Sequence, residues 1–446
     1  MKDFDVVVIG TGIGGLICAG TLAAQGVKVL AIEKNPNPGG YLTSFRRRKF
    51  VFDSAVDCFS GLDENGVIRH TLRALDIEDE ISFVRVDPIQ ESFFPGIRVA
   101  VDGNLEIYIE RLKNLFPAET KGIDRFWEAM RAIYKDIEAW AETLIRENGI
   151  LHIPSALLKY ANHTYLDLLN ENITNKKLQA LLSDRCPFLG LAPSKVSAVS
   201  MCALMMSYFI SGAYRATGGC QKLADILVKG IRKKRGKVLL KKKVSSIILE
   251  KGRAIAVRTS DGSEYTAKKV VSNIDFLQTF TKLLNGNDAH SIQKRLTHPG
   301  HSSSFFVLYL GTDMDLRHLH PSSSIGYFPT FDVESLFKDD HAFENASSLG
   351  VTVPTILDKT MAPDGSHVLS AHEMISYSYT ASWKDHKQAL SLKLLKKVEK
   401  ILPGIQKHVI HLEAATPSTL ERYTSNFMGS SYGWQQVPRQ KVSASQ

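Results

Sequence analysis

Short apolar runs broken by glycine turns open this chain, and helical spacing takes over farther along. Val6–Ile9 is β-branched and uncharged, the pattern of a strand buried on both faces of a parallel sheet. Gly10-Thr11-Gly12-Ile13-Gly14-Gly15 follows and opens a helix, and Val27–Ile32 reads as a second strand. Prolines 36 and 38 with Gly39-Gly40 force a loop, after which Phe50–Phe52 reads as another short strand. From about residue 105 to 215 the pattern is helical, with Trp127, Met130, Ile133, Tyr134 and Ile137 at spacings of three and four. Val196–Tyr214 is the most apolar long stretch, rich in methionine and aromatics. It reads as buried core or as the adaptable wall of an apolar ligand site. A helix carrying Leu223, Ile226, Leu227 and Ile231 precedes strands at Val238–Leu240, Val244–Leu249, Ala254–Thr259 and Glu264–Val271. Asp261-Gly262 is the hairpin turn between the last two. Ser303–Leu310 reads as a strand and Lys387–Leu402 as an amphipathic helix stopped by Pro403-Gly404.

The first glycine cluster carries chemistry. Gly10, Gly12 and Gly15 supply a tight turn, close backbone approach to phosphate, and close helix–strand packing. The helix N-terminus offers its free N–H groups and positive dipole end to an anion. Glu33 closes the second apolar run, where a carboxylate accepts from a ribose hydroxyl. An adenine dinucleotide is expected here, and this motif leaves FAD and NAD both open.

Bulk composition narrows the class. The 446 residues are 44% hydrophobic and 23% charged, which excludes a disordered chain and predicts two or three domains. No stretch reaches the roughly 18 uncharged apolar residues of a membrane-spanning helix. The apolar N-terminus lacks a basic leader, so a cytoplasmic location is expected. Cys18, Cys58, Cys186, Cys202 and Cys220 are odd in number and without a CxxC pair, which argues for reduced thiols and against a zinc or disulfide framework. The net charge of +9 is partly local, because eight of the basic residues crowd positions 232–243. That run is a solvated face or a peripheral contact for anionic lipid headgroups. Without interleaved aromatics it does not suggest nucleic acid.

Further motifs follow in a recognisable order: Glu33-Lys34, Pro38-Gly39-Gly40, Phe52-Asp53-Ser54-Ala55, Gly218-Gly219 and Val244–Glu250. Val270-Val271-Ser272-Asn273, Ala362-Pro363-Asp364-Gly365, Thr416-Pro417 and Glu421-Arg422-Tyr423-Thr424 continue the series. With the opening glycines, the chain resembles the phytoene desaturase, carotenoid isomerase and retinol saturase group of flavoproteins. These are glutathione-reductase-like oxidoreductases, a superfamily that includes monoamine oxidases. Gly429-Ser430-Ser431-Tyr432-Gly433-Trp434 is similar to the carotenoid isomerase branch.

The resemblance implies an α/β fold: a Rossmann-like FAD-binding domain with a parallel sheet and a small antiparallel meander, interleaved with an α+β substrate domain. The boundaries expected are 1–75 plus 215–295 for the first and 76–214 plus 296–425 for the second. Residues 426–446 would begin a C-terminal FAD segment that family members continue into a glycine-rich turn and helix. The sequence stops at Gln446 without that motif, so either the sequence is truncated or its flavin site is open on one side. FAD would be held by Gly10, Gly12, Ile13, Gly14, Gly15, Glu33, Lys34, Gly39, Gly40, Tyr41 and Val244, the last through its backbone against adenine. Residues 52–57 would lie toward the isoalloxazine, and Arg46–Arg48 would offset cofactor charge or form an exposed turn. The implied activity is desaturation, saturation or cis–trans isomerisation of a long apolar chain. An amine-oxidase-like enzyme on a small substrate and a non-catalytic homologue are the alternatives. No metal is implied and no catalytic side chain stands out.

Overall fold

The computed structural model describes residues 3–146, 153–284, 300–317, 322–338 and 347–438. Two sheets organise them. The first has six strands in the order Val244–Glu250, Arg253–Thr259, Glu264–Ser272, Phe4–Ile9, Val29–Ile32 and Lys237–Leu239. Glu264–Ser272 joins its two halves. Its start pairs antiparallel with Arg253–Thr259, and its later residues run parallel to Phe4–Ile9, Val8 opposite Val271. The expected meander and parallel sheet are thus one continuous surface. Val7, Val8, Leu30 and Ala31 are wholly buried, as the uncharged β-branched runs require.

Helix Ile13–Ala24 packs on this sheet beside helix Gln221–Lys233, sharing a core with Leu16, Ala19, Leu223, Leu227 and Ile231. Two glycines set the approach. Gly10 has φ +91°, a conformation in which a side chain is strained. A Cβ on Gly15 would lie 2.2 Å from the Gly10 carbonyl oxygen. Gly15→Ala must therefore push helix and strand apart, and we expect thermal melting to show a loss of about 2 kcal/mol or more.

The second sheet has seven strands: Val409–Ala415, Ser304–Thr312, His367–Ile375, Leu349–Thr352, Ser324–Tyr327, Gln90–Phe94 and Ile97–Val101. One face, with Phe306, Leu308 and Leu310, packs on helix Trp383–Ile401 through Leu390, Leu394 and Val398. Phe305, Val307 and Tyr309 on the other face meet Phe50 and Phe52, next to the nucleotide fold. The helical stretch builds a separate core in which Trp127, Met130, Ile133, Met201 and Cys202 are fully buried. Most of Val196–Tyr214 is thus core, while Met205, Tyr208 and Phe209 also border a small cavity.

Candidate functional site

A cavity of about 870 Å³ runs along the C-terminal ends of the parallel strands. Gly10, Gly12, Ile13, Gly14, Glu33, Lys34, Gly39, Gly40, Tyr41 and Val244 all line it. Gly15 does not, because its role is the helix–strand contact already described. The loop after the second strand folds back onto the first turn: Gly39 N–H donates to the Thr11 carbonyl at 2.7 Å. A Cβ on Gly40 (φ +58°) would sit 3.1 Å from the Gly12 Cα. These two backbone segments make a cradle without side chains, which suits a pyrophosphate.

Glu33 is 6% exposed. One carboxylate oxygen accepts from the Thr11 N–H (3.0 Å) and Thr11 hydroxyl (2.9 Å), and the other from the Asn35 N–H (2.9 Å). The residue therefore fixes the loop before it meets any ribose. Glu33→Ala strands three donors, so it should cost at least about 2 kcal/mol even without cofactor. Glu33→Gln, which keeps an acceptor oxygen, should cost less; denaturant melts of cofactor-free protein check both. Lys34 donates to the Ser425 hydroxyl (2.5 Å) and the Arg422 carbonyl (3.1 Å), tying the loop to the C-terminal segment. Burial lowers its ammonium from the ordinary lysine value, with Glu33 acting in the opposite sense. Burial likewise raises the Tyr41 phenol, which donates to the Ser430 carbonyl at 3.0 Å.

Other wall residues come from the later motifs and their neighbours. Asn273, Ile274 and Asp275 follow the strand next to Phe4–Ile9, and Thr424–Asn426 with Gly433-Trp434 close the C-terminal side. Lys242 and Lys243 also line the cavity, so part of the basic run serves this mouth. Lys234 pairs with Asp76 (2.7 Å), and Lys242 pairs with Asp261. Arg46–Arg48 are absent from the wall. They form an exposed hairpin in which Arg47 bonds Glu413 at 2.6 Å, so the exposed-turn reading holds. Glu421 and Arg422 make no close ion pair with each other; Glu421 accepts from the Tyr377 hydroxyl at 2.7 Å.

Val56 borders the large cavity and also a neighbouring one of about 30 Å³. The smaller space is lined by Asp53, Asp57, Arg215, Thr352, Ser370 and His372. Arg215 is 2% exposed and is gripped by Asp53 and by Asp57, whose Oδ1 lies 3.1 Å away. His372 faces Gly350 on the next strand, and a Cβ there would lie 2.1 Å from Nε2. Only glycine leaves room for that ring. Burial pulls the imidazole below its ordinary value, with Asp57 opposing, so it is neutral at pH 7.

The NAD(P)-binding Rossmann-like domain family matches residues 8–75. Prolycopene isomerase of Daucus carota is 26% identical over 456 residues, 97% of this chain and 72% of that protein. All-trans-retinol 13,14-reductase of Danio rerio is 26% identical over 479 residues, 97% of this chain and 78% of the relative. Over nearly its whole length the chain is thus similar to carotenoid isomerases and retinol reductases. An oxidoreductase of Methanosarcina mazei shares the fold at TM-score 0.62 and 18% identity, covering 98% of this chain and all of the other. Putrescine oxidase bound to putrescine does so at TM-score 0.62 and 13% identity, covering 98% and 90%. Ten of the eleven residues expected at the cofactor site line this one glycine-rich cavity.

Proposed function

We propose that the chain is an FAD-dependent oxidoreductase acting on a long apolar, polyene or lipid-like substrate by desaturation, saturation or isomerisation. The observation that carries this is the cavity of about 870 Å³ with a side-chain-free cradle at one end and Glu33 beside it. The residues fit the cofactor: Gly12 leaves space that a Cβ would take from a phosphate, and the lysines at the mouth offset its charge. FAD when bound would supply a hydride acceptor or donor. In this reading Gly10–Gly14 and Gly39-Gly40 hold the pyrophosphate, Glu33 the ribose, and Val244 the adenine. Leu42 and Val56 would then flank the isoalloxazine end, consistent with residues 52–57 lying toward it. The protein's own contribution is position, and dryness on the side of the buried Leu42.

No described helix is long and apolar enough to cross a membrane. Arg235 and Lys241 stay exposed and would support a peripheral contact with anionic lipid. The test is an absorbance spectrum of purified protein titrated with FAD, followed by anaerobic mixing with retinol and a poly-cis carotenoid. Flavin uptake with a change in the polyene spectrum is expected. Peroxide release from putrescine with an unchanged polyene, or no uptake of FAD, would overturn the reading.

A further inference from the structure

The wall beyond Val56 is not uniformly apolar. Asp57 lines the 30 Å³ cavity; Cys58, the next residue, lies against Tyr208, which lines a further cavity of about 10 Å³. Burial pushes the Cys58 thiol up to about 12, so that contact stays neutral. The far cavity has walls of Ile89, Val101, Met205 and Phe209, and Asp184 and Arg185 line it as well. Both charged residues are deeply buried, Arg185 only 4% exposed.

Their mutual pairing is loose. Arg185 Nε stands 3.9 Å from Asp184 Oδ1, while Asp184 Oδ2 accepts from the Ser92 hydroxyl at 2.5 Å. Arg185 Nη1 donates to Gln90 Oε1, and the guanidinium lies 5.2 Å from the Phe188 ring. Its Nη2 is buried with no hydrogen-bond partner. A buried cation holding an idle donor is costly unless an acceptor arrives. Apolar and sulfur-bearing walls leading to one such group describe a site for a chain with a polar end.

We propose that Arg185 receives an anionic end group, a carboxylate, on the substrate's apolar chain, which runs past Val56, Asp57 and Cys58 toward the flavin side. This rests on the apolar-substrate reading and adds the substrate's head group to it. The present cavity accommodates about one water, so the chain must displace the flexible Met205 and the Phe209 ring to enter.

The test uses full-length protein and two probes: cis-parinaric acid, a fluorescent tetraene carboxylic acid, and its methyl ester. We expect the acid to bind at least tenfold more tightly than the ester at pH 8. Arg185→Gln should erase that preference while leaving ester affinity and FAD uptake unchanged, and Arg185→Lys should retain part of it. Equal binding of acid and ester by the parent, or an acid preference that survives in Arg185→Gln, overturns the proposal and leaves the apolar-substrate reading standing. If neither probe binds, that reading fails and the proposal falls with it. Should Arg185→Gln fail to fold, the parent's acid-to-ester ratio and the Arg185→Lys variant still decide.

Discussion

Gly12→Val should abolish flavin uptake and leave the fold intact. Gly12 has φ −60° and ψ 168°, which any residue adopts, so no backbone strain follows the substitution. Its added Cβ would meet only the Asn273 side-chain oxygen, at an ordinary 3.7 Å, and would otherwise project into the cavity. The branched side chain then occupies the space between the first glycine turn and Gly40, where a phosphate must approach backbone N–H groups. Losing two or three charge-assisted hydrogen bonds at about 1.5–3 kcal/mol each predicts a fall in affinity of at least a hundredfold. Titration of the cofactor-free variant with FAD, beside a melting curve in its absence, separates this from misfolding. Gly15→Ala is the opposite control, since it damages packing outside the cavity. A Gly12→Val protein that takes up flavin like the parent would remove the cradle from the binding site altogether.

The half of the molecule built around the first glycine turn was legible because its determinants are local. Val6–Ile9, the glycine turn and Glu33 lie within thirty residues, and each has one physical use there. The seven-stranded sheet was mostly not legible. Gln90–Phe94, Ser324–Tyr327 and Leu349–Thr352 are short and show little alternation, and two contain a glycine. Those glycines look like strand breakers until the neighbours are placed. Gly350 makes room for His372, and a Cβ on Gly326 would lie 2.5 Å from the Gln90 side-chain nitrogen. Asn273–Asp275 and Thr424–Asn426 reach the cavity from about 150 residues apart, the first after a strand paired with Phe4–Ile9 and the second at the end of helix Pro417–Thr424, a meeting that no periodicity reports. Lys242 and Lys243 were visible as charge, but only the strand Lys237–Leu239 pairing with Val29–Ile32 brings that charge to the mouth.

Arg215→Met should give the largest loss of stability of any single substitution considered. The guanidinium projects from the middle of a short strand, Tyr214–Ala216, and reaches Asp53 at the end of Phe50–Asp53 and Asp57 four residues on. Burial disfavours its charge, and the two aspartates more than offset this, holding its pKa above the ordinary value. Asp53 in turn accepts from the Cys220 N–H at 2.8 Å and the Ser44 hydroxyl at 2.5 Å, beside the start of helix Gln221–Lys233. Removing the cation leaves two buried carboxylates facing each other, a defect that costs about 3–5 kcal/mol. Two aspartate-to-asparagine changes, Asp53→Asn and Asp57→Asn, remove those charges, so the triple variant should melt above Arg215→Met alone. Because the same segment carries Val56 at the border of the large cavity, Arg215→Met should weaken flavin binding as well. An Arg215→Met protein within about 1 kcal/mol of the parent would mean that water, rather than the arginine, satisfies these carboxylates. The wall between the two cavities would then be wet, and the dryness required on the flavin side would have to come from the substrate itself.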